Sequence, residues 1–203
     1  RLEALDVASG ECSVFLSEPG LNACASFFKK SGKVAVVLSR SGNPEIYLAD
    51  LAGKILSRLT DHPGVDASPS VSPDDTRIAF VSDRDGRTRL WMMNVSGYGV
   101  RKIGVQGSYL TAPAWSPDGN LLAYASRSGG GVVIEVLDLK TGATRILTKR
   151  FGWSEAPSWA PDSRHIAFTR VEGGRKSVWV VDVVTLAARR LVEQGANPSW
   201  SAR

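Results

Sequence analysis

Short apolar runs set the rhythm of this chain. "VAVVLS" at 34–39, "RIAFVS" at 77–82, "LLAYAS" at 121–126 and "HIAFTR" at 165–170 carry apolar residues with little alternation. Runs of this length predict strands covered on both faces. A second set follows each of them: "EIYLADL" at 45–51, "RLWMMNV" at 89–95, "VIEVLDL" at 133–139 and "SVWVVDV" at 177–183. Between the runs stand Gly, Pro, Asp and Ser, the residues that punctuate turns. The stretch from 113 to 156 shows no helical periodicity. "PAWS", "LLAYAS", "VVIEVLDL" and "TRILT" predict four strands, separated by "SPDG", "RSGGG" and "KTGA". In "SPDG", Pro117 suits the first central position of a type I turn, with Asp118 next and Gly119 last. The unit is an antiparallel meander.

The meander repeats. Pro69, Pro113 and Pro157 are spaced by 44 residues, and Pro198 follows after 41. Ile46, Leu90, Ile134 and Val178 keep the same spacing, as do Asp50, Asn94, Asp138 and Asp182. A fixed period in this range means an array of one supersecondary unit. Four antiparallel strands per ~40–45 residues favour radial packing, a β-propeller, over a solenoid. The predicted class is all-β, with four-stranded antiparallel blades. "LEALDV" at 2–7 lies one period before 46–51, and "ECSVFL" fits a fourth strand. Residues 1–20 are thus expected to be the outer strands of a split blade. Units follow at 21–64, 65–108, 109–152 and 153–194, and 195–203 is expected to be an inner closing strand. That makes five blades, four complete and one split between the termini, or an incomplete six-bladed ring.

The recurring phrase reads mainly as framework. Trp115, Trp159 and Trp200 stand in innermost strands and are expected to fill the wedge between neighbouring sheets, each indole N–H needing a partner. The Asp column ends third strands before tight turns, where a carboxylate accepts backbone N–H bonds.

Composition adds little against this picture. The 203 residues are 43% hydrophobic and 22% charged, an ordinary globular balance. The net charge is +5 and the pI about 9.4. Lys and Arg are scattered and no recognition helix or aromatic RNA-binding motif accompanies them, so the charge reads as solvated surface and no nucleic-acid partner is expected. No apolar run approaches the ~18 residues of a spanning helix, so no direct membrane insertion is expected. No signal peptide is recognisable. The chain begins at Arg1, which reads as a processed chain or a fragment.

Catalytic chemistry has few carriers. His62 lies in a loop near Asp61 and Asp66, and His165 opens a second strand. No HExxH, GxSxG or GxxxxGK[ST] occurs, and "RSGGG" at 127–131 precedes no helix, so it is a poor phosphate cradle. The expectation is no enzyme, no cofactor and no metal. What varies from unit to unit is the loop joining a fourth strand to the next first strand: "SEPGLNA", "DHPGVDA", "VQGSYLT", "KRFGWSE" and "VEQGAN". Variable loops on a repeated frame are the usual place for binding. They carry Tyr109, Phe151 and Trp153, aromatic anchor types. The candidate partner-binding set is Leu21, Asn22, Cys24, Asp66, Ala67, Tyr109, Leu110, Trp153 and Glu155, at one mouth of the propeller channel.

The phrases "SPSVSPDDTRIAFVSDRDG", "APAWSPDGNLLAYASRSGGG", "APSWAPDSRHIAFTR", "GNPEIYLADLAGKILSRLT" and "NPSWSAR" resemble the repeats of the TolB propeller domain over essentially the whole chain. The resemblance implies a non-enzymatic, periplasmic protein-binding scaffold of the Gram-negative envelope. Its implied partner is a Pal-type lipoprotein of the Tol–Pal system. It also implies Pal contacts at Leu21, Cys24 and Ala67, although the family carries a polar or charged group where Leu21 stands. These residues hold no α/β domain of the TolA-facing kind, so no TolA-facing role is expected of them. Two other readings share the repeat: a gating propeller of a peptidase whose catalytic domain lies outside this chain, and a TolB-derived structural subunit of another complex.

The repeat separates the two cysteines. Cys12 falls in an outermost strand and Cys24 just before an innermost one. Three strand spacings of ~4.8 Å put them too far apart for a bridge, which needs Cα atoms within ~7 Å. Two free thiols are expected.

Overall fold

The computed structural model describes residues 1–148 and 152–200. Phe151, one of the loop aromatics, lies outside the described residues. Every helix or strand among those residues is a strand. The chain divides into two compact units, 1–86 with 91–101, and 87–90 with 102–203.

In the first unit, β1 (Leu2–Leu5) and β2 (Cys12–Leu16) form an antiparallel two-stranded sheet. β3 (Asn22–Phe27), β4 (Lys33–Leu38), β5 (Glu45–Asp50) and β6 (Ile55–Arg58) follow as a four-stranded sheet in chain order. β7 (Asp66–Val71), β8 (Arg77–Ser82), β9 (Arg89–Asn94) and β10 (Arg101–Lys102) repeat that order. All but the start of β4 is buried, as the unalternating run demands. Phe28, Ala35, Ile46, Leu59, Val71, Ile78, Phe80 and Met93 form one core cluster from these two sheets. Leu16, Val34, Val36, Leu38, Tyr47 and Ala49 form another, with Leu2 and Phe15 of the N-terminal hairpin against it.

The second unit holds β11 (Ser108–Trp115), β12 (Leu121–Ser128), β13 (Gly131–Asp138) and β14 (Thr144–Ile146), then β15 (Trp153–Trp159), β16 (His165–Glu172), β17 (Arg175–Asp182) and β18 (Ala188–Val192). These are two further repeats of the meander. A single parallel pairing, Val132 with Trp153, links them into one eight-stranded sheet. Ala123, Ala125, Val132, Ile134, Val136, Ile166, Phe168 and Val181 form the core between them.

The periodic columns explain the repetition. Asp6, Asp50, Asn94, Asp138 and Asp182 each accept backbone N–H bonds through the side chain, from residues two to four positions on. The carboxylates at 138 and 182 are held below their ordinary range, Asp138 first by the Thr141 N–H and Asp182 first by the Arg164 guanidinium. The turn-forming role of this column is therefore direct. Trp159 and Trp115 are each 7% exposed, and Trp159 Nε1 donates to the Ala114 carbonyl at 2.9 Å. That bond spans two neighbouring first strands, so Trp159 is the predicted wedge. Trp200 is not: it is 41% exposed and borders a shallow cleft with Pro161, His165 and Leu191. Residues 195–200 also carry no strand, although Asn197 N docks on Thr169 Oγ1 at 2.7 Å.

The proline column marks something other than a strand start. Each first strand begins three or more residues earlier and contains a bulge at that point. The pairing jumps from Ala23 to Ser26, Ala67 to Ser70, Thr111 to Ala114 and Glu155 to Ser158. At each, three steps on the first strand oppose two on its partner. The extra residue takes positive φ: Cys24 (48°), Ser68 (50°), Ala112 (50°) and Ala156 (53°). In three of the four the next residue is proline, which lacks the N–H that a bulge would leave unpaired. Cys24 thus lies inside β3 rather than before it.

Candidate functional site

The loops between repeats are pinned by close backbone approach. Leu21 N donates to Ser39 Oγ at 2.7 Å, and a Cβ on neighbouring Gly20, at φ 81°, would stand 2.5 Å from that oxygen. In the second unit Gly107, at φ 116°, lies equally tight against Ser126 Oγ, where a Cβ would come within 2.6 Å. Glycine is required at both places.

The candidate residues fall into two groups, one per unit. In the first, Leu21 is 48% exposed and Cys24 is exposed. Asn22 spends its amide inside the loop: Oδ1 accepts from Glu18 N at 2.8 Å, and Nδ2 donates to the Glu18 and Gly20 carbonyls. Ala67 is half-buried. Asp66 is fully buried and paired with Arg84 at 2.7 Å. Arg84 in turn lies over the rings of Phe80 and Trp91, at 5.3 and 5.0 Å from their centroids. A buried carboxylate needs such a partner, so Asp66 serves a site only by fixing the loop.

His62 is likewise tied down, its Nδ1 accepting from Gly64 N at 2.9 Å. The carboxylates near it in sequence are engaged, Asp61 with Arg58 and Asp66 with Arg84. His165 bonds Asp162 at 2.6 Å on the surface. Among the described residues no group of three or more His, Cys, Asp or Glu side chains could hold a metal ion. Both thiols are free.

In the second unit, Leu110 is fully buried and can only support its neighbours. Tyr109 is 48% exposed, with φ 53°. Trp153 is half-buried and donates from Nε1 to Glu155 Oε2 at 2.8 Å, while Lys176 holds Glu155 Oε1 at 3.2 Å. Between the two aromatics stands Arg127, 5.8 Å from the Tyr109 centroid and 5.9 Å from that of Trp153. These are cation–π distances.

Arg127 was hidden by reading "RSGGG" as a turn. Ser128 pairs with Gly131, so the turn proper is Gly129–Gly130, with φ 60° and 88°. Positive φ at both central residues is the type I′ hairpin. Arg127 is therefore held on β12, a rigid strand. The double glycine was the available signal. Another unforeseen pair lies on the same strands. Tyr124, fully buried, donates its hydroxyl to Glu135 at 3.0 Å. Burial first, then the Glu135 charge, pushes the Tyr124 hydroxyl far above its ordinary value, so it stays a neutral donor. Glu135 occupies the column that holds Tyr47, Trp91 and Trp179 in the other repeats.

Repeated four-stranded meanders with wedge tryptophans and variable connecting loops define a β-propeller-class protein that presents side chains from its loops. The model of the TolB beta propeller domain matches residues 2–203, and the chain belongs to that family. TolB from Acinetobacter baumannii is similar in structure, with a TM-score of 0.86 and 27% identity over 97% of this chain. The chain spans only 50% of that protein. A protein described as a TolB of Agrobacterium tumefaciens matches with a TM-score of 0.83 and 20% identity, over 95% of this chain and 69% of its own. A puromycin-hydrolyzing peptidase of Mycobacterium tuberculosis shares the fold at a TM-score of 0.64 and 17% identity, over 89% and 34%. No curated protein matches the chain. No helix among the described residues is long and apolar enough to cross a membrane.

Proposed function

We propose that this chain is a non-enzymatic protein-binding propeller of the Gram-negative cell envelope, acting in the periplasm on a Pal-type lipoprotein or a peptide segment of one. The family supports the class of function. The carrying observation is the Tyr109–Arg127–Trp153 cluster, where aromatic rings and a cation are gathered at the loop end of one sheet. Tyr, Trp and Arg are the side chains that dominate protein interfaces when truncated. Leu21, Asn22, Cys24 and Ala67, with Asp66 beneath them, form the corresponding loop surface of the first unit. The hairpins at 72–76, 116–120 and 160–164 are near-copies of one another and offer little distinctive shape.

The test is capture of a purified Pal-type lipoprotein, followed by titration of variants. Tyr109→Ala and Trp153→Ala should each weaken binding by about 2 kcal/mol with the fold retained. Crosslinks from the partner confined to the hairpins at 72–76, 116–120 and 160–164 would overturn the proposed surface.

A further inference from the structure

Arg127 has two rings beside it and, among the described residues, no carboxylate paired with it. The acid beside Trp153, Glu155, is already held by the Trp153 indole and by Lys176. Next to Arg127 opens a cleft of about 500 Å³, bordered by Gln106, Ser126, Ser128, Glu135 and a second cation, Arg145. Ser126 is fully buried beneath Gly107, and among the described residues its hydroxyl has no hydrogen-bond partner.

We propose that the Arg127 edge of this cleft receives a carboxylate from an extended segment of the protein partner, which accepts hydrogen bonds from the guanidinium. The inference rests on the protein-binding reading above and adds the chemistry of what is bound. The guanidinium is planar and flanked by rings, so its donors are pre-aimed as a fork that matches a carboxylate. Tyr109 and Trp153 give apolar surface to the residues next to the acid. Glu135 lies opposite Tyr124, three residues along from Arg127, roughly 10 Å away at ~3.3 Å per residue. It shares the cleft with Arg145, so the two charges at that end offset each other and Arg127 is left as the cation beside the rings. A segment with one acid therefore suffices, and a uniformly acidic one gains nothing further along the cleft.

The experiment titrates the isotope-labelled chain with acetyl-Gly-Phe-Asp-Lys-Gly-amide, its Asn counterpart, and acetyl-Gly-Phe-Gly with a free carboxylate. The Asp peptide should shift the Ser126 amide and the Trp153 indole resonances and bind about tenfold tighter than the Asn peptide. Arg127→Ala should remove that tenfold preference. Arg127→Lys, which keeps charge without the fork, should lose most of it. Preference for the free-terminus peptide over both others would assign the carboxylate to a chain end and still support the site. Equal binding of the Asp and Asn peptides, or an Arg127→Ala variant with unchanged melting and unchanged preference, overturns it. Arg127-dependent binding of the Asp peptide without capture of a Pal-type lipoprotein would remove only the partner's identity. Capture insensitive to Arg127→Ala would remove only this inference.

Discussion

Replacing Asp75 with glycine should loosen the first unit by about 2 kcal/mol without disturbing the hairpin that carries it. The Asp75 carboxylate reaches from the β7–β8 hairpin to the β3–β4 hairpin, accepting from Lys29 N at 2.9 Å, Lys30 N at 2.8 Å and Ser31 N at 3.0 Å. Hydrogen bonds to a charged group are worth about 1.5–3 kcal/mol each when water is excluded. These are exposed, so water replaces much of each loss, which brings the sum to about 2 kcal/mol. Glycine is the right probe because Asp75 sits at φ 61°, and the next repeat already has Gly119 at this position. Asp75→Ala adds a left-handed alanine and should cost about 1 kcal/mol more than Asp75→Gly. Denaturant unfolding gives the stability difference, and amide exchange at Lys29, Lys30 and Ser31 localises it. An Asp75→Gly variant with unchanged stability, or with unchanged exchange at those amides, would show that the carboxylate does not clamp the two hairpins.

Trp159→Ala should cost about 3–5 kcal/mol in chemical denaturation, as large core truncations do; Trp159→Phe should keep most of that and lose the bond to the Ala114 carbonyl. The Asp74 carboxylate is held down to about 2, first by the Ser72 hydroxyl. Its folded value lies below its unfolded one, so its contribution is complete above about pH 5 and is lost as pH falls through about 2. The melting difference between the native chain and Asp74→Asn should therefore shrink from pH 5 to pH 2, and a constant difference would refute it. Alkylation without reductant should label both Cys12 and Cys24, whereas an intact bridge between them would contradict the strand positions.

The repeat made most of the frame legible, because the second strand of each repeat is covered on both faces and the same turn residues return at each step. The Asp column could be read with its role, since a short acceptor before a tight turn has one use. Register inside the first strands could not. Cys24, Ser68, Ala112 and Ala156 share no side-chain chemistry, and the sign of φ leaves no trace in hydropathy. The loop candidates were found by their variability, but variability does not distinguish Tyr109, exposed, from Leu110, buried. Both follow the same Gly107 approach, and it is Leu110 that turns inward beside it. Arg127 escaped because strands β12 and β13 run farther into "RSGGG" than the meander template allowed. Trp200 shows the converse error, since the same motif does not guarantee the same burial.

The bulge in each first strand also breaks the alternation of its side chains. Residues before Cys24, Ser68, Ala112 and Ala156 are out of phase with those after, so the two halves of the strand answer to different demands. The later half must satisfy the wedge and the core. The earlier half, with the loop before it, is released from that parity and can change by substitution without moving a core residue to the wrong face. Each repeat is in effect a fixed cartridge with an interchangeable tip. Grafting the segment from Gln106 to Thr111 onto the matching segment of another repeat should leave the host sheet folded and carry over Tyr109 without the Arg127 and Trp153 that complete its cluster.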